Sequence, residues 1–414
     1  MFPINNEQNK ASNSTSINLK IIGVGGAGNN AVNMMYDEEL LNVEFIVANT
    51  DVQALDKSVC INRLPLGKDN KGFGAGSNPE IGAQLANEST EDIKNSLNGA
   101  DVVIITAGFG GGTGTGASPK IAQIAKESGA LTIALVTTPF LYEGKKRTNV
   151  ANTGIEELKK NVDSYIVLSN ERLSEEHPDI PFAESLKLSN ITLKNIIFAI
   201  HDILNRVGTI NIDFADIKHT LTNAGLTIVG LGKATGENRA TKAVKKAFEQ
   251  NLYEHDIKSA KKLLINIQHD KSVTNKEIKS AIQAVHEYLA ENGNEYIDDC
   301  KIGQEIMETE NNAQFFQIAV IASGVSSEIQ PENTIDNLES IAITNSQPET
   351  EPTIVQDEII SKLEKTQEEL GTESFNDLEN SKEVVETQEL NSYFSIDELS
   401  SKDDESDDNL MWFK

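Results

Sequence analysis

Gly110-Gly111-Gly112-Thr113-Gly114-Thr115-Gly116 follows the apolar run Asp101-Val102-Val103-Ile104-Ile105-Thr106-Ala107 and precedes a helical pattern with Ile121, Ile124 and Ala125 on one face. A strand, a glycine run and a helix in that order make an anion cradle. Successive backbone N–H groups form a concave nest, and the helix N-terminus adds partial positive charge. Glycine suits the cradle because a Cβ blocks close approach of the backbone, and several positions are expected to need positive φ. Thr113 and Thr115 add hydroxyls for phosphate oxygens. A flexible linker of this composition would not sit between a strand and an amphipathic helix.

A second glycine loop lies upstream. The short strand Leu19-Lys20-Ile21-Ile22 runs into Gly23-Val24-Gly25-Gly26-Ala27-Gly28, and a helix is expected from about Asn29 to Met35. Glycines 23, 25 and 28 match G-x-G-x-x-G, and Asp51 follows the strand Val43 to Ala48. Alone, this is the dinucleotide fingerprint and points to a nicotinamide or flavin enzyme. A dinucleotide site needs one such turn. Two in one α/β domain suggest a polyphosphate gripped from two sides.

The charge is lopsided. Of the net −28, the stretch from Ser326 to Lys414 holds −19, from 24 acidic and 5 basic residues, leaving about −9 for the first 325. No basic patch for a nucleic-acid backbone stands out. Cys60 and Cys300 form neither a metal spacing nor a disulfide framework, which fits a reducing cytoplasm. The six histidines are scattered without a zinc-type cluster. No apolar stretch reaches the ~18 residues of a membrane span. Residues 1–16 are polar and rich in Asn and Ser, and read as a disordered arm.

From Ile17 to about Asn170, strands expected at 19–23, 43–48, 102–106, 131–136 and 165–168 alternate with helical patterns. Such alternation implies a doubly wound α/β domain over 17–190 with ligands at the carboxyl ends of its strands. Leu193, Ile196, Ile197, Ile200, Ile203, Leu204 and Val207 then recur at helical spacing, predicting a central helix within 191–210 that Gly208 ends. The stretch 211–325 reads as a smaller α+β domain, with helices near 216–223, 238–250 and 275–292 and strands near 226–231, 262–267 and 315–322. Residues 326–403 read as a disordered acidic linker with a coil span of about 50 Å. The terminal 404–414 carries Leu410-Met411-Trp412-Phe413, with the only tryptophan of the chain, and reads as a docking peptide.

The chain resembles the FtsZ family, bacterial cell-division GTPases of the tubulin superfamily, from about Leu19 to Val325. Gly110 to Gly116 matches the tubulin signature loop. Gly25-Gly26-Ala27-Gly28-Asn29-Asn30, Asn49-Thr50-Asp51, Gly74-Ala75-Gly76-Ser77-Asn78-Pro79-Glu80, Glu143-Gly144-Lys145-Lys146-Arg147 and Asn211-Ile212-Asp213-Phe214-Ala215-Asp216 follow in the family's order. No Walker A lysine motif is present, which disfavours a P-loop enzyme. The resemblance implies a tubulin-like GTPase: a doubly wound, Rossmann-like nucleotide domain joined by a central helix to a smaller α+β domain, with a disordered acidic tail. It implies GTP and GDP as ligands, with Mg²⁺ or K⁺ as cation and no assigned metal ligands. Gly25, Gly26, Ala27, Gly28, Asn29 and Asn30, together with Gly110, Gly111, Gly112, Thr113, Gly114 and Thr115, would wrap the phosphates. Asp51 joins this set, and Gly74, Ala75 and Gly76 would sit near the γ-phosphate. Glu143 and Arg147 would reach ribose and phosphates, and Asn170 the sugar.

The base end departs from the family. Leu186 falls where many members have a phenylalanine stacked on guanine, and Asn190 where many have an aspartate. A carboxylate accepts from guanine N1–H and N2–H together, whereas an amide offers one acceptor oxygen. The stack is poorer without a ring. Weaker GTP affinity or looser base selection is therefore expected. Ala27 replaces a common glycine with less consequence.

Asp213 and Asp216 stand three apart at a helix start. Read from the residues, they fit either capping or catalysis. By family analogy Asp213, Asp216 and Asn211 lie at the opposite end of the subunit from the glycine loops, so head-to-tail stacking would complete the site and propagate a filament. The implied role is a polymer that forms the cytokinetic ring at mid-cell in the cytoplasm, tethered through its tail to a membrane adaptor or division proteins, without nucleic acid or direct membrane insertion. The family's terminal peptide is usually longer, with a proline and basic residues, and Asp407 to Lys414 retains little of it. Competing readings are an oxidoreductase built on Gly23 to Gly28, a tubulin-like plasmid-partition filament, and a member that binds nucleotide without hydrolysis.

Overall fold

The computed structural model describes residues 17–326 apart from Glu39, 68–71, Val207, Asn251, Asp256, 292–296 and 309–313. The expected arm 1–16, the acidic linker beyond Ser326 and the docking peptide 404–414 lie outside the described residues.

Six parallel strands come first: β1 (Leu19–Val24), β2 (Val43–Asn49), β3 (Arg63–Pro65), β4 (Val102–Gly108), β5 (Leu131–Thr138) and β6 (Ser164–Ser169). They pair in the order β3-β2-β1-β4-β5-β6. Every residue of β1 and β5 is buried, because helices cover both faces of a parallel sheet, and this is why their sequences are near-continuous apolar runs. The strand order reverses between β1 and β4, so the switch point opens at the carboxyl ends of the two strands that carry the glycine loops. The remaining strands are β7 (Gly225–Thr235), β8 (Lys262–His269), β9 (Asp299–Ile306) and β10 (Phe315–Val325), in the order β7-β10-β8-β9. Only Ser164↔Gly225 and Tyr165↔Leu226 join β6 to β7.

Helices pack on this sheet: α1 (Gly25–Tyr36), α2 (Val52–Asp56), α3 (Pro79–Glu88), α4 (Thr90–Leu97), α5 (Thr113–Glu127), α6 (Lys145–Lys159), α7 (Asn170–Glu176), α8 (Phe182–Asn205), α9 (Phe214–Leu221), α10 (Arg239–Glu249) and α11 (Asn275–Glu291). The expected strands and helices are present with small shifts at their ends. Three differences matter. First, α1 begins at Gly25, so three of the loop glycines form its first turn rather than precede it.

Second, the central helix α8 runs over Phe182–Asn205, whereas the apolar stripe placed it within 191–210. The stripe marks only the part whose face is buried, and Leu193, Ile196, Ile197 and Ile200 are indeed at most 2% exposed. Glu184, Leu186 and Lys187 in its early turns are exposed, and these turns carry no periodic apolar signal. Near its end, Asp202 accepts from Arg206 Nε at 2.6 Å and from Gln268 Nε2 at 2.9 Å, tying α8 to β8. Third, β9 was not expected. It is an edge strand, parallel to β8, and most of its residues are only half-buried, so the sequence Asp-Cys-Lys-Ile-Gly-Gln-Glu-Ile shows no strand-like alternation. Among the described residues no helix is long and apolar enough to cross a membrane.

Candidate functional site: two glycine loops and a distant acidic turn

The glycine loops meet. A Cβ on Gly25 would lie 3.0 Å from Gly114 N, and Thr50 Oγ1 hydrogen-bonds Thr113 Oγ1 at 2.6 Å. The third loop joins them, since a Cβ on Gly112 would come within 2.8 Å of the Ala75 methyl. Gly74 and Gly76 take φ of +79° and +56°. Neither α1 nor α5 has a side-chain cap at its start, whereas Asp51 caps α2 through Gln53 N and Ala54 N, and Asn78 caps α3 through Glu80 N. Both helix starts beside the switch point are thus built without a side-chain acceptor, which leaves their N–H groups for an anion.

The glycines divide into two kinds. Cβ atoms on Gly28, Gly114 and Gly116 would come within 2.5 Å of backbone oxygens of Thr106, Gly108 and Pro79. These positions are glycine because the protein packs against itself there. Gly26 and Gly111 face open space, with nothing within 4 Å of an added Cβ. Positive φ is needed in the 110–116 run only at Gly110, at +99°, not at several positions as expected. The threonine hydroxyls also have partners within the protein: Thr115 Oγ1, buried, accepts from Gly110 N at 2.9 Å. Asn29 is buried, while Ala27 and Asn30 are exposed.

The other expected residues lie on segments that follow the carboxyl ends of β5 and β6. Arg147 pairs with Glu143, and the Arg147 carbonyl would be 3.1 Å from a Cβ on Gly110. Glu143 Oε1 also accepts from Phe140 N at 3.0 Å, and Leu141 N donates to Glu171 Oε2 at 2.9 Å. Asn170 starts α7 at the carboxyl end of β6, and its Oδ1 accepts from Ser189 Oγ at 2.7 Å. Asn190, half-buried, follows Ser189 on α8. Leu186 is 46% exposed.

Asn211, Asp213 and Asp216 stand elsewhere. Helix α9 leads into β7, whose Gly225 pairs with the first residue of β6, so it sits at the amino ends of the parallel strands. Lys218 Nζ reaches Gly129 O, just before β5, and Asn223 contacts Lys126 and Asp163. The eight-residue β5 alone spans about 26 Å, so these acids and the glycine loops lie at opposite ends of the same sheet.

Asp213 occupies the N-cap position of α9 but makes no side-chain cap hydrogen bond, so capping does not account for it. Asn211 Oδ1 accepts from Gly208 N at 2.5 Å. Asp216 Oδ1 lies 3.3 Å from Lys301 Nζ, which also lies 3.5 Å from Asp299 Oδ1. The two carboxylates, Asp216 foremost, push the Lys301 ammonium above its ordinary pKa. Sequence reading missed Lys301 because it missed β9.

A parallel sheet with paired glycine loops at its switch point, continued into a mixed sheet through a central helix, defines a tubulin-like nucleotide-binding protein. The Tubulin/FtsZ family GTPase domain matches residues 18–177, and the FtsZ family C-terminal domain matches residues 225–326. The chain belongs to the FtsZ family. The cell division protein FtsZ of Mycoplasmopsis pulmonis (strain UAB CTIP) is 43% identical over 313 residues, covering 75% of this chain and 78% of that protein. The empty FtsZ dimer of M. jannaschii matches with a TM-score of 0.69 at 34% identity, over 76% of this chain and 90% of that one. The GDP-bound CetZ1 monomer from Haloferax volcanii shares the fold, with a TM-score of 0.64 at 22% identity, over 75% of this chain and 95% of that one.

Proposed function

We propose that this protein binds and hydrolyses GTP and polymerises head to tail into dynamic filaments that build the cytokinetic ring at the division site. The observation that carries this reading is the separation of the glycine loops from Asp213 and Asp216 along the parallel strands. One subunit would hold the nucleotide without the acids. A second subunit stacked on it would bring Asn211, Asp213 and Asp216 over the γ-phosphate. Such a contact does not close on itself and generates a filament. Exposed apolar side chains at both ends, Phe73 and Leu141 near the loops and Ile210 near the acids, suit a contact surface.

Within the site, Gly26 and Gly111 leave room for phosphate beside the uncapped helix starts of α1 and α5. Arg147 adds positive charge, with Glu143 fixing its guanidinium. Among the described residues no three His, Cys, Asp or Glu side chains converge on a metal position. The hydroxyl oxygens of Thr50 and Thr113 suit a cation such as Mg²⁺ that arrives with the nucleotide and keeps phosphate and water ligands. The cation would supply neutralisation of phosphate charge. The carboxylates of Asp213 and Asp216 would orient and polarise the attacking water. Hydrolysis then weakens the contact and the filament turns over. The acidic stretch 326–403 would act as a tether and 404–414 as the peptide that docks on a membrane adaptor.

Hydrolysis per molecule should rise steeply with protein concentration, after a lag, together with sedimentable polymer. Phosphate release and pelleting on the same samples check this. A constant rate per molecule without pelleting would point to a self-contained enzyme. At the base end, ITP, which lacks the N2 amine, should bind within about ten-fold of GTP, since one hydrogen bond contributes about 1 kcal/mol. The exposed Leu186 and the single amide acceptor of Asn190 support this expectation. A hundred-fold preference for GTP over ITP in competition binding would contradict it.

A further inference from the structure

Strand β9 holds the acidic turn at two points. Its Gln304 forms a two-hydrogen-bond bridge with Ile210, at 3.1 and 2.9 Å, and a Cβ on its Gly303 would lie 3.3 Å from the Ile212 side chain. Three residues before Gln304, Lys301 reaches the acid on the first turn of α9, with its ammonium between Asp216 and Asp299. The backbone bridge fixes the segment before Asp213, and the lysine fixes Asp216, three residues after it. The lysine engages Asp216 Oδ1 and leaves Oδ2 for a second partner.

We propose that Lys301 is a positioning residue for GTP hydrolysis: its ammonium fixes Asp216 and keeps a positive charge beside that carboxylate where the anionic γ-phosphate of the adjoining subunit arrives. This rests on the reading that Asp216 acts on the neighbour's nucleotide. Two carboxylates facing a triphosphate repel it. A chain without a P-loop lysine gains from a fixed cation delivered by the opposing subunit. Asp216, and after it Asp299, favour the charged form of Lys301, so it stays protonated across the working pH range. The pair is partly exposed, with side chains 34% and 43% accessible, so its contribution to folding is small. The β8 ladder holds β9 without it.

The test compares full-length wild type with Lys301→Ala, Lys301→Arg and Asp216→Asn. Turnover per sedimented subunit is separated from the threshold concentration for pelleting. For Lys301→Ala, turnover per polymerised subunit should fall about ten-fold while the threshold stays within about two-fold; misplacing a reacting group can cost up to ~100-fold. Ethylammonium should restore part of the loss, tetramethylammonium at equal ionic strength should not, and Lys301→Arg should retain most activity. Unchanged turnover in Lys301→Ala, an equal response to both amines, or a shift in threshold alone would overturn the proposal. Lys301→Met, closer in volume, replaces Ala if the latter melts at lower temperature. Asp216→Asn separates the two readings. If it hydrolyses normally, the shared-site reading fails. If it is slow while Lys301→Ala is normal, only the role of Lys301 fails.

Discussion

Asp213→Ala is expected to bind GTP and to polymerise, yet to release phosphate about 100- to 10,000-fold more slowly per polymerised subunit, the range a positioned acid or base contributes. The physical basis is that Asp213 has no visible structural task. It stands at the N-cap position of α9, where a capping aspartate would normally contribute about 1 kcal/mol, but its side chain caps nothing. Removing it should leave the thermal midpoint almost unchanged. An exposed carboxylate at a helix start with no cap hydrogen bond and no ion pair among the described residues is what a water-orienting group awaiting a second subunit should look like. Nucleotide affinity, pelleting and phosphate release measured on one preparation give three readouts. Wild-type hydrolysis in filaments of this variant would end the shared-site reading, and failure to bind GTP would mean that the acids and the glycine loops are not separable.

The second large effect concerns the glycines, and it differs in kind between the two loops. Gly116→Ala places a methyl 2.0 Å from Pro79 O and 2.8 Å from Ala83 N, both backbone atoms of α3, so one helix must move. The expected cost is about 3 kcal/mol, at the upper end for an overpacked core, and it exceeds the roughly 1 kcal/mol that alanine gains over glycine in a helix. Gly26→Ala meets nothing within 4 Å and sits in the first turn of α1. It should leave stability unchanged or slightly raised, while GTP affinity falls by about ten-fold or more, that is at least ~1.4 kcal/mol. Thermal melts and nucleotide titration on both variants separate the cases. If Gly26→Ala binds GTP normally, the α1 turn does not approach phosphate. If Gly116→Ala melts like wild type, α3 and α5 are not packed as closely as described.

The parallel half of the fold was legible because its signals are local. Runs such as Val102 to Ala107 are apolar throughout, since both faces of β4 are covered, and the glycine turns after β1 and β4 interrupt them. The start of α8 was less legible because exposed residues such as Glu184, Leu186 and Lys187 leave no stripe, although its buried half from Leu193 was plain. Strand β9 left no trace at all, because an edge strand with half-buried residues need not alternate. Of the candidate site, the residue types and their order were visible. Their division of labour was not: Thr115 braces Gly110, and Gly116 accommodates α3 rather than a ligand.

By itself the sequence determined the doubly wound class, the two glycine turns and the acidic turn, since hydrophobic period, glycine and helix-start residues act over a few positions of chain. Only the tertiary structure decided which glycines face open space, that the acids stand at the far end of the strands from the loops, and that Lys301 meets Asp216 from 85 positions away. Those facts depend on which strands lie side by side. Strand order is set by burial summed over the whole sheet, so no short window of sequence carries it.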